Sequence, residues 1–125
     1  MVKIDFRNDT QMANILGAVF LAVMVLAFVP NPLVGPEGFF VTNAAHDLVH
    51  GLVGLALLVG AKMRYGKVTI IGAGIFYLIV AILGYASDSH MLFGMVMVNM
   101  ADHYLHIVLS AAMLFLGAYV RPSRL

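Results

Sequence analysis

Four long apolar stretches, residues 12–29, 43–61, 68–86 and 98–119, leave little of this chain for anything else. A helix needs about 20 predominantly apolar residues, with about 17–25 the usual range, to cross a hydrocarbon core of about 30 Å. Lipid offers backbone amides and carbonyls no partner, so a spanning segment of this length must satisfy them internally, as a helix. Composition agrees. Hydrophobic residues make up 62% of the 125 and charged residues 10%, against about 25% charged in an ordinary soluble domain. The expected fold is all-α: an integral membrane four-helix bundle forming a single transmembrane domain over residues 1–125. Pro30, Pro32 and Pro36 break the chain after the first span, Gly66 interrupts between the second and third, and Ser87-Asp88-Ser89 follows the third. Short connections leave no room for a separate soluble catalytic domain.

All seven Lys and Arg residues precede span one (Lys3, Arg7), join spans two and three (Lys62, Arg64, Lys67) or follow span four (Arg121, Arg124). The connections at 33–42 and 87–97 carry none. Cytoplasmic loops collect Lys and Arg, so both termini are expected in the cytoplasm of a bacterium, with the protein in its inner membrane. The start has the charges of a signal peptide, but its apolar run is too long and lacks a small-residue cleavage site. It reads as a retained first span, with Asn8, Asp9 or Thr10 as its cap. Tyr65, Tyr85 and Tyr119 fall near span ends and read as interfacial anchors. Cysteine is absent, which excludes disulfides, iron–sulfur clusters and thiolate metal sites. A net charge of +1 gives no reason to expect nucleic-acid binding. The expected surroundings are the lipid bilayer and, beyond it, a homo-oligomer or a larger membrane complex.

A polar pattern occurs twice within this apolar background. Asn43-Ala44-Ala45-His46-Asp47-Leu48-Val49-His50 opens span two, and Asn99-Met100-Ala101-Asp102-His103-Tyr104-Leu105-His106 opens span four, 56 positions later. The same offset maps Phe20 to Phe76, Gly38 to Gly94 and Ala61 to Gly117. The chain therefore reads as a duplicated hairpin, about 12–62 and about 68–118, with its two halves related about an axis along the membrane normal. At 100° per residue, Asn43, His46, Asp47 and His50 share an arc of roughly 100° on span two. Asn99, Asp102, His103 and His106 share its counterpart on span four. Gly54 and Ala61 continue the stripe on span two, and Ser110 and Gly117 on span four. Small residues permit close helix approach, so spans two and four are expected to touch through them in the cytoplasmic half, with the polar cluster in the outer half.

The patterns Asn-x-x-His-Asp-x-x-His-Gly-x-x-Gly-Leu in span two and Asn-x-Ala-Asp-x-x-Leu-His in span four resemble those of a family. It is the bacterial domain-of-unknown-function 4383 family of small four-span membrane proteins, and the likeness runs from about Gly17 to Tyr119. That family more often has Asn at the position of Asp47, so this chain carries an additional acid. The resemblance implies four spans and the paired motif, and no activity.

Ionisable groups inside a membrane are costly and mark function or protein-facing surfaces. The simplest role is registration. Hydrogen bonds between helices in a membrane are each worth on the order of 1 kcal/mol, and a non-catalytic accessory or structural subunit needs no more. A second role is a metal site. His46 and His50 stand at i and i+4 on one face, with Asp47, Asp102, His103 and His106 available to complete the shell, a set suited to Zn, Cu, Fe or Ni. A third is a haem or chlorophyll-type pigment held between the repeat-related His50 and His106, with Gly51 and Gly54 leaving space for the ring. A fourth is proton or ion handling by an oligomer, since the polar column stops at His50 and His106. Met91, Met95, Met97 and Met100, with His90, surround the outer mouth of span four. Thioethers suit Cu(I), but methionine is also an ordinary packing residue. No nucleophile or substrate pocket can be named, so an enzyme finds little support.

Overall fold

The computed structural model describes residues 3–87 and 90–123. Asp88, Ser89 and Arg124 lie outside the described residues. Four helices account for most of the chain: α1 (Asp9–Ala27), α2 (Ala44–Lys62), α3 (Gly66–Ala86) and α4 (Met100–Tyr119). All four are long and apolar enough to cross a membrane. Asn8 caps α1, its side chain accepting the Gln11 N–H at 3.0 Å. Asn43 and Asn99 stand just before α2 and α4 as N-caps. The sharp stop of α2 comes from Arg64, not Gly66. Arg64 takes a left-handed φ of 64°, while the N–H groups of Arg64 and Tyr65 return to Ala61 O and Gly60 O. These are the two bonds of a Schellman ending. Gly66 opens α3, where a Cβ would run into the Asp9 backbone.

Two hairpins, α1–α2 and α3–α4, pack internally more extensively than they pack on each other. Their relation is not a uniform 56-residue shift. Buried positions on α1 recur on α3 after 57 residues: Asp9 and Gly66, Ala13 and Ile70, Gly17 and Gly74, Phe20 and Tyr77. Buried positions on α2 recur on α4 after 56: His50 and His106, Leu57 and Met113, Ala61 and Gly117. The missing residue falls at the loop tips. β1 (Val34–Gly35) and β2 (Phe40–Val41) are separated by residues 36–39, whereas β3 (Met91–Leu92) and β4 (Val96–Met97) are separated by 93–95. The longer tip returns its strand parallel and the shorter one turns back antiparallel. Phe20 therefore corresponds to Tyr77 rather than Phe76, and the two rings stack at 5.6 Å. Contact between repeat-mates places both near the pseudo-twofold axis.

The small-residue stripe corrects a second expectation. Gly54 does not meet span four. A Cβ there would lie 3.0 Å from the Gly17 carbonyl oxygen and 3.0 Å from Phe20 Cβ, both on α1. Gly117 likewise lies against Ile70 and Ile71 of α3. Ala61 and Ser110 are buried. The close approaches therefore occur within each hairpin, where glycine lets the two backbones come together. Gly54→Leu is expected to push α1 from α2 and lower the melting temperature in detergent, at an overpacking cost of about 1–3 kcal/mol. An unchanged melt would contradict this contact.

The described residues before α1 and after α4 meet the α2–α3 turn at one end of the bundle, and this end carries every described Lys and Arg. The buried Asp9 carboxylate accepts the Lys67 N–H at 2.9 Å and the Ser123 hydroxyl. Lys67 Nζ donates to Gly117 O at 2.7 Å and Val120 O at 2.8 Å. A cation there satisfies the free carbonyls at the C-terminus of α4. The two interhelical loops, with their short strand pairs, form the opposite end.

Candidate functional site

At the loop end the repeated polar pattern divides into two groups of different character. The asparagines form one. Asn43 accepts the His46 N–H at 3.0 Å as the cap of α2. It also reaches into the other hairpin's loop, donating to Met95 O at 2.9 Å and accepting from Met97 N at 3.2 Å. Asn99 repeats this in reverse. It accepts the Asp102 N–H, donates to Phe39 O at 2.9 Å and accepts from Val41 N at 3.4 Å. Each repeat therefore clamps the other's loop through a residue that also caps its own helix.

Asp102 belongs to this group. Its Oδ2 accepts the Asn99 N–H at 2.8 Å, closing a capping box. His46 holds the corresponding place on α2. Its Nδ1 donates to Met97 O at 2.7 Å, since a carbonyl can only accept. That bond fixes the tautomer of the neutral ring and leaves the Nε2 lone pair free. One residue thus serves both groups.

The second group is His46, His50 and His106. Each offers one ring nitrogen, and the three lie within 4.8 Å of one another. They are 2%, 5% and 2% exposed. Neither nitrogen of His50 has a hydrogen-bond partner in the protein, and neither does Nδ1 of His106. Phe20 packs edge-on against His50 at 6.2 Å, and its repeat-mate Tyr77 lies against His106 at 5.4 Å. The Tyr77 hydroxyl is also buried without a partner. A cavity of about 250 Å³ adjoins the histidines, with walls that include Val49, Phe76, Val80 and, from the α3–α4 loop, Leu92, Phe93 and Met95. The surface facing it is apolar.

The remaining polar residues of the pattern stand apart. His103 packs over Gly84 and lies 5.8 Å from the Tyr85 ring on α3. Asp47, its repeat-mate, is buried with one oxygen unpartnered and is not in the group of three. Helical spacing put these residues on one broad face but did not resolve which side of it meets a neighbour. Three features of the site were missed: Tyr77, the Met97 carbonyl and the cavity wall from the α3–α4 loop. The signal for Tyr77 was the 57-residue recurrence of Gly17 and Phe20 as Gly74 and Tyr77, visible only once a one-residue gap is allowed.

Four apolar helices in two hairpins, with a histidine triad buried between them at one end, define a small four-span membrane protein. The chain belongs to the family described as Domain of unknown function (DUF4383), whose model matches residues 10–119. No curated protein and no solved structure matches the chain.

Proposed function

We propose that this membrane protein binds one transition-metal ion through His46, His50 and His106. The observation that carries the reading is His50, a buried imidazole with no hydrogen-bond partner for either nitrogen, facing two other imidazoles. A buried polar group left unsatisfied costs about 1–3 kcal/mol, and registration of helices gives no return for it. A metal ion does. The ring nitrogens of a tetrahedral centre lie roughly 3.4 Å apart when each bond is about 2.1 Å, so closing on an ion takes ring movements of about an ångström. The His46 Nδ1–H bond to a backbone carbonyl is the kind of outer contact that orients a histidine ligand. Asn43 and Asn99, each bonded to the other hairpin's loop, supply the registration instead.

A haem or pigment is less well supported. Pockets for ligands of even drug size run from about 300 Å³, above the 250 Å³ beside the histidines. The space at Gly51 is taken by Met24, and that at Gly54 by α1. Purification in mild detergent with elemental analysis and an absorption spectrum tests the reading. About one transition-metal ion per chain, with no haem or chlorophyll band, is the expected result. Metal-free protein that takes up no added ion would reject it.

The reading extends to orientation. The terminal end, with its Lys and Arg residues, faces the cytoplasm of a bacterial inner membrane, and the triad lies in the outer half, as in an accessory subunit or a homo-oligomer. A reporter fused at residue 125 should behave as cytoplasmic, and one near Glu37 as exterior. The opposite labelling would reverse this placement.

A further inference from the structure

We propose that the ion held by His46, His50 and His106 is the soft monovalent cation Cu(I), admitted from the loop end past Met95. This rests on the three-histidine reading above and adds the identity of the ion. Three observations point to it.

The first is charge. All three donors are neutral imidazoles, and no carboxylate belongs to the group. Asp102 is engaged by its own helix cap. Asp47, next in the chain to His46, is buried with one oxygen unpartnered. Three neutral donors offset none of the ion's charge. The cost of placing an ion in a medium of low dielectric grows with the square of its charge, so the difference falls heavily on the divalent ion.

The second is coordination number. Zn(II) takes four ligands, and where the protein gives three, water or substrate fills the fourth place. Here the adjoining cavity presents an apolar surface, and beside the histidines its lining residues include a single hydroxyl, that of Tyr77. Cu(I) is content with two or three donors and needs nothing from that side.

The third is the doorway. The α3–α4 loop forms one wall of the cavity, and Met95 supplies a thioether there. Met95 is 64% exposed, so it borders both the surface and the cavity. Thioethers favour Cu(I) over divalent ions.

The experiment loads the full-length metal-free protein in detergent with Cu(I), under anaerobic reducing conditions against a chromogenic Cu(I) chelator, and separately with Zn(II). Ag(I) serves as a monovalent stand-in that does not change oxidation state. His50→Ala is run beside the wild type. The expected result is about one Cu(I) or Ag(I) per chain, no displacement by roughly tenfold excess Zn(II), and loss of binding in His50→Ala. Zn(II) binding as tight as Cu(I) overturns the proposal while leaving the metal-site reading intact. Uptake of none of the three ions defeats that reading itself. Cu(I) retained equally by His50→Ala overturns the proposal by placing the ion on surface methionines.

Discussion

His50→Leu is expected to abolish metal binding without weakening the metal-free bundle. Both His50 nitrogens are buried and unpartnered, so the wild-type metal-free protein already carries a desolvation cost of about 1–3 kcal/mol for that ring. Leucine is of similar bulk, suits the neighbouring Phe20 and Tyr77 rings, and removes the cost. With a chelator present the melting temperature should hold or rise by a few degrees. His46→Leu should behave differently. Its Nδ1 satisfies the Met97 carbonyl, so its loss removes a bond between the hairpins and lowers the melt, besides removing a ligand. His106→Leu should eliminate binding as fully as His50→Leu, and the double change should add little, because residues sharing one ligand are not additive. Metal content by elemental analysis and melts with and without chelator give the comparison. If His50→Leu loosens the metal-free protein as much as His46→Leu does, the histidines are braces and the metal site falls.

Replacing both clamping asparagines should give the largest loss of stability. An N-cap Asn→Ala change costs about 0.5–2 kcal/mol, and each further hydrogen bond about 0.5–1.5 kcal/mol. Asn43 and Asn99 each make one cap bond and two bonds to the opposite loop. Each Asn→Ala is therefore expected to cost roughly 2–4 kcal/mol. The double variant should release both loops and, because α2 and α4 then lose their common register, reduce metal affinity as well. Asn99→Asp separates the two roles. A carboxylate still caps α4 but cannot donate to Phe39 O, so only part of the loss should appear. Unfolding in detergent followed by circular dichroism measures each step. If Asn99→Asp is as stable as wild type, the bond between the hairpins contributes nothing and Asn99 is a cap alone.

The lengths of the apolar runs, the prolines after the first and the Lys- and Arg-free connections after the first and third already determined four helices in two hairpins, and the doubled Asn-to-His pattern located the polar cluster. These features are local. They depend on how many residues span a bilayer and on which side chains fall within one helical arc. Only the tertiary structure decided which part of each arc meets a neighbour. Gly54 and Gly117 lie against the partner helix within their own hairpin, a choice of neighbour that their position on the helical arc leaves open. One residue fewer in the second loop moved the mate of Phe20 from Phe76 to Tyr77, a shift of one residue that rotates a helix face by about 100°. The triad was decided at the same level. The pattern offers six ionisable groups, but Asp102 turns back to cap α4, His103 packs on Gly84, and Asp47 is outside the group. His46, His50 and His106 remain because two parallel helices, registered by exchanged asparagines, bring them to one point near the axis. A linear pattern gives the angle of a side chain about its own helix, but not the rotation of that helix within the bundle.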